Sequence, residues 1–119
     1  MTTSFGDYIR TARENLQAQH PGEYSLRALA LRLDVTHAYL NKIEHGEGSV
    51  PAEKTIVALA RELKLDPNVL LAMAGKVSDE LQAIIRQRPQ LFAEMLAACK
   101  DLPNDAILKL VREVRDGDW

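Results

Sequence analysis

Only one cysteine, Cys99, occurs in the 119 residues, so the chain has no internal disulfide framework and suits a reducing compartment. Aromatic residues are scarce at 5%, which leaves Leu, Ile, Val and Ala to build a core. No apolar run approaches the roughly 18 residues of a membrane span, and Met1-Thr2-Thr3-Ser4 has neither the basic region nor the apolar stretch of a secretory leader. A soluble, cytoplasmic protein is expected. The materials of catalysis are missing as well. The three histidines, His20, His37 and His45, belong to no HExxH pattern, and there is no CxxC, nucleophile elbow or metal-ligand spacing. Neither an enzyme nor a metal or other cofactor is expected. Excess positive charge is also absent: the net charge of −2 does not announce a nucleic-acid partner.

What is present is a folded composition, with 46% apolar and 27% charged residues arranged in stripes at helical spacing. Phe5, Ile9, Ala12 and Leu16 form the first stripe, opened by Ser4 and closed near His20-Pro21-Gly22. Leu26, Leu29, Ala30 and Leu33 follow Ser25, a good N-cap; Leu40 and Ile43 follow Thr36 and end at Gly46. Ile56, Leu59, Ala60 and Leu63 come after Pro51, and a fifth helix runs from Asp66-Pro67 to Gly75. Beyond it, Ser78-Asp79-Glu80 opens a helix with Leu81, Ile84 and Ile85, Pro89 opens a second and Pro103 a third. Four of the five prolines thus read as helix starts. The expectation is an all-α protein of about eight helices: a five-helix domain over residues 1–75 and about three C-terminal helices over residues 76–119.

Residues 25–46, SLRALALRLDVTHAYLNKIEHG, read as two short helices joined by a tight turn at Asp34-Val35. Leu29, Ala30 and Leu33 pack the first, while Val35, Leu40 and Ile43 pack the second. Ala30 is small where the helices approach most closely. The second helix is left projecting outward, with dimensions that fit the DNA major groove.

The segment resembles the XRE type of helix-turn-helix, the family of phage repressors and Cro proteins. The features that carry the resemblance are Leu29-Ala30, Val35-Thr36, Leu40, Ile43-Glu44, Gly46, Pro51, the Ile56…Leu59-Ala60…Leu63 stripe and Asp66-Pro67 with Leu70-Leu71. It covers about residues 5–75 and implies a five-helix bundle that acts as a homodimer on a roughly palindromic double-stranded DNA operator. The recognition helix would span residues 36–45. His37, Ala38, Asn41 and Lys42, with Tyr39 beside them, would face the bases. Lys42 can donate to guanine, Asn41 can pair with adenine and Ala38 can meet a thymine methyl. His37 and Asn41 also suit an ordinary solvated surface, and Tyr39 also suits inward packing. Phosphate contacts would come from Ser25, Arg27, Thr36 and Lys54. Glu44 would form a structural ion pair with Arg13 of the first helix.

Three departures from the family pattern stand out. Asp34 occupies a turn position that usually holds Gly, the connection from Gln19 to Tyr24 is longer than usual, and Leu26 stands near a position that is often polar, where Arg27 can substitute. Residues 1–75 hold eight Lys or Arg against nine Asp or Glu, so non-specific affinity for DNA should be weak. The acidic balance lends some support to a different reading, a protein-interaction module or antitoxin that uses the same fold.

In the C-terminal part, Leu91, Phe92, Met95, Leu96, Ile107, Leu110, Val111 and Val114 form two strong stripes. They serve either a shared dimer core, the preferred reading, or packing within the chain. Cys99 reads as a small buried hydrophobe. Trp119 is either frayed or an anchor into a partner. A regulatory protein partner, an inducing ligand and the operator sequence have no signature in these residues.

Overall fold

The computed structural model describes residues 4–117 and Trp119. Residues 1–3, which enter the leader argument above, and Asp118 lie outside the described residues. The described residues form eight helices and no strand: α1 (Phe5–Gln19), α2 (Leu26–Leu33), α3 (His37–Glu44), α4 (Glu53–Glu62), α5 (Pro67–Met73), α6 (Asp79–Gln87), α7 (Pro89–Cys99) and α8 (Asn104–Asp116). None is long and apolar enough to cross a membrane.

Local chemistry sets most of the boundaries. Ser4, Ser25, Thr36 and Asp66 each accept a hydrogen bond from a backbone N–H in the first turn of the helix they precede, satisfying one of its orphan donors. Pro67 and Pro89 occupy the first helical position, whereas Pro103 is the N-cap of α8. Pro51 departs from the expected helix start: it is buried in the loop, two residues ahead of α4, whose N-cap is Ala52. Between α2 and α3 the chain turns at Asp34, whose φ of 56° and ψ of 44° are left-handed, and the Asp34 N–H closes on the carbonyls of Ala30 and Leu31. A short polar side chain tolerates this region better than most, so the missing glycine is accommodated. Lys64 takes the same region after α4, with φ 58°.

The chain forms two compact units, Met1–Ser78 and Asp79–Trp119. In the first, α2 packs on α3 and α4, α4 packs on α5, and α1 packs on α3. Their inward stripes meet in one core, in which Ile9, Leu29, Leu40, Ile56, Leu59, Leu70 and Leu71 are fully buried beside Ala30 and Ala60. Each large aliphatic side chain removed from water contributes about 1.5–3 kcal/mol, and this sum holds the unit against its chain entropy.

The second unit differs in kind. None of its described residues is buried. α7 is apolar almost all round, yet Leu91 is 63% and Leu96 60% exposed. Cys99 is half-buried, not enclosed, because it lines an open groove of about 700 Å³ with Met95 and Leu96 of α7 and Ile107, Leu110, Val111 and Val114 of α8. The Trp119 ring is almost wholly exposed, and its indole N–H donates to the Val114 carbonyl at 2.8 Å. That bond satisfies one of the last carbonyls of α8.

Because Leu59 is fully buried where α4 meets the core, Leu59→Ala is expected to destabilise the first unit by about 2–5 kcal/mol in urea titrations. A loss below about 1 kcal/mol would mean that the core relaxes around the cavity.

Candidate nucleic-acid interface

α3 has two sharply different sides. Leu40, Ile43 and Glu44 are buried, whereas His37, Ala38, Tyr39, Asn41 and Lys42 are exposed. At 3.6 residues per turn, His37, Asn41, Ala38 and Lys42 follow one another around a single outward arc. Tyr39 borders it on the Ile43 side and is 38% exposed. The helix end is tied down locally: the Asn41 carbonyl accepts the His45 backbone N–H at 3.1 Å and lies 2.8 Å from His45 Nδ1. Those bonds use the main chain of Asn41 and leave its amide on the outward arc.

What fixes this helix is Glu44, 3% exposed and the only charged side chain buried among the described residues. Arg13 of α1 meets it with a fork, Nε donating to Oε2 at 2.6 Å and Nη2 to Oε1 at 3.0 Å. The remaining Arg13 nitrogen, Nη1, donates to the Tyr24 carbonyl at 3.1 Å. Such a bidentate pair supplies direction as well as energy. It ties α1, α3 and the end of the long α1–α2 connection into one joint.

That connection is held from other sides as well. Gln17 accepts the Tyr24 N–H at 2.8 Å through its side-chain oxygen. Arg32 lies over the Tyr24 ring at 4.9 Å, donates to the Glu23 carbonyl at 2.5 Å and pairs with Glu62 of α4 at 2.9 Å. Nothing in the spacing of the sequence links these residues, which lie up to 45 positions apart. The only hint is the co-occurrence of an unusually long connection and a Tyr at its end.

The other candidate contacts are distributed over three helix starts. Ser25 caps α2 by accepting the Ala28 N–H at 3.1 Å, and Arg27 is exposed in the same first turn. Thr36 accepts the Tyr39 N–H at 3.0 Å at the start of α3. Both hydroxyls keep their proton free to donate. Lys54 is exposed in the first turn of α4, a separate helix. Ion pairing takes up three arginines of the first unit and leaves Arg61 and Lys64 unpaired beside the candidate cations: Arg10 is taken by Asp7 and Glu14, Arg13 by Glu44 and Arg32 by Glu62. Among the described residues Arg27, Lys42 and Lys54 have no ion-pair partner.

Two helices across a tight turn, the second presenting a polar outward arc, constitute a helix-turn-helix, and residues 4–73 match the family model described as a helix-turn-helix domain. The chain belongs to that family, a non-enzymatic class of DNA-binding transcriptional regulators. It is also 31% identical over 108 residues to the HTH-type transcriptional repressor RghR of Bacillus subtilis (strain 168), a similarity that spans 89% of this chain and 74% of the relative. No solved structure matches.

Removing the Glu44 carboxylate leaves Arg13 charged and partly buried without its partner. Glu44→Ala is therefore expected to cost about 3–5 kcal/mol in chemical denaturation. Arg13→Lys should recover only part of that pairing, because an ammonium cannot reproduce the fork. Equal stability of Glu44→Ala and the parent would show that the pair is dispensable.

Proposed function

We propose that this protein is a transcriptional repressor of the XRE type that binds a two-fold DNA operator as a homodimer, with α3 in the major groove. The observation that carries the reading is the outward arc of α3, where Lys42 and Asn41 stand free on a helix whose opposite side is locked by Arg13 and Glu44. His37, Ala38, Asn41 and Lys42 read the bases, with Tyr39 at the edge of the contact. Ser25, Thr36, Arg27 and Lys54 hold phosphates. The repressor role rests on the likeness to the Bacillus subtilis repressor.

The near-neutral charge of the first unit fits a binder that relies on base contacts and on two copies more than on bulk attraction. Four of its acids, Asp7, Glu14, Glu44 and Glu62, are matched by arginines within the fold and oppose DNA weakly. Non-specific affinity is correspondingly low and the salt dependence modest. The second unit supplies dimerisation. Its apolar groove, with Met95 and Leu96 on α7 and Ile107, Leu110, Val111 and Val114 on α8, becomes core together with Leu91 and Phe92 of α7 when a second copy covers them. A unit of this size with no buried residue among those described is too small to be stable alone.

Selection from a random DNA pool is expected to enrich a two-fold sequence with half-sites about 34–36 Å, one helical turn, apart. Asn41→Ala and Lys42→Ala should each lose about 1–3 kcal/mol on the enriched site and relax its preference at one base position. Recovery of no consistent sequence at low salt would overturn the DNA reading and favour a protein-interaction module such as an antitoxin. For the second unit, Leu96→Glu with Val114→Glu should turn a dimer into a monomer by light scattering, with the first unit still folded by its urea transition. A variant that stays dimeric would exclude this groove as the contact.

A further inference from the structure

α1 touches α3 at a second point, where there is no side chain at all. Gly6 is buried in the first turn of α1, and a Cβ built on it would overlap the Glu44 carbonyl oxygen, stand 2.7 Å from the Ile43 carbonyl oxygen and 2.9 Å from the Glu44 carbonyl carbon. Real Cβ atoms essentially never approach other heavy atoms closer than 3.0 Å, so any side chain here must displace main chain. The obstructing atoms are main chain, with no side-chain rotamer to change. The Ile43 carbonyl is held by the Gly46 N–H at 3.2 Å, and the Glu44 side chain is held by Arg13. α1 is anchored by the Ser4 cap and by Ile9, which is 1% exposed between the two contact points.

From this we infer that Gly6 is a positioning residue for DNA recognition, setting the depth and tilt at which α3 is presented. Gly6 and Arg13 are seven residues, about two turns, apart on α1 and so lie on the same side of that helix. One seats the main chain at the end of α3, and the other grips the side chain of Glu44. An eight-residue helix moves as a rod, so an added methyl at position 6 pivots α3 about the Arg13–Glu44 pair. The displacement is carried to Asn41 and Lys42. Binding constellations tolerate only about 0.5 Å of such movement.

The inference rests on α3 being the recognition helix, and its test separates the two claims. Gly6→Ala in the full chain is expected to unfold cooperatively, to shift the backbone amide resonances of α3 in the absence of DNA, and to bind the selected operator about tenfold or more weakly. Leu71→Ala, which weakens the core at a residue of α5, serves as the control for lost stability and should bind the operator as the parent does at a temperature where both are folded. Should Gly6→Ala not fold, the Gly6→Ala, Lys64→Gly double variant is measured instead, because glycine relieves the left-handed strain at Lys64. Operator affinity within twofold of the parent, unmoved α3 resonances, or failure of both variants to fold would overturn the inference. A parent protein that selects no DNA sequence would sink the proposed function while the α3 resonances still report on the seating.

Discussion

A carboxylate almost wholly removed from water cannot stay charged without a partner, and the pairing of Glu44 with Arg13 organises the domain around that constraint. Burial in a medium of low polarity costs several kcal/mol per ion, recovered only when geometry and accessory hydrogen bonds are good. Here the geometry is a fork, and the leftover guanidinium nitrogen is used on the Tyr24 carbonyl. One interaction therefore fixes the angle between α1 and α3 and pins the connection that leads into α2. A hydrophobic contact of equal strength would not specify direction in this way.

Ion pairing also explains how a protein with a slight acidic excess belongs to a DNA-binding family. The net charge counts groups without asking where they point. In the first unit three arginines neutralise four carboxylates, while Arg27, Lys42 and Lys54, at the starts of α2 and α4 and on the open side of α3, are among the cations that remain unpartnered. A surface of this kind attracts phosphates weakly at long range. Under the proposed function, discrimination falls to short-range contacts, which depend on how accurately α3 is held.

The two units show how differently apolar patterning can be used. In the first, every stripe finds another within the chain and the largest aliphatic side chains are sealed. In the second, comparable stripes on α7 and α8 remain open to solvent, with Val114 66% exposed. Helical periodicity is the same in both. Only the availability of a facing surface differs, and this is what supports the proposal that the second unit serves association.

Much of this was legible from local patterns. Eight helices follow from apolar spacing and from caps such as Ser25, Thr36 and Asp66, because those signals act over three or four residues and need no distant partner. The helix-turn-helix was legible because the turn at Asp34 and the flanking apolar residues occur at fixed spacing. Other features depended on the fold. Pro51 ends up buried ahead of α4 because the loop packs before the helix begins, and Cys99 is half-open because nothing within its unit covers α7. Arg32 reaches Tyr24, Glu23 and Glu62 across three segments, and Gly6 is pressed against the end of α3. The sequence by itself determined the helices, their order and the class of protein, since these depend on periodicity and neighbouring hydrogen bonds. Only the tertiary structure decided which charges of different helices cancel and where the backbones of α1 and α3 meet, since both depend on residues 30 or more positions apart being brought within hydrogen-bonding distance or van der Waals contact.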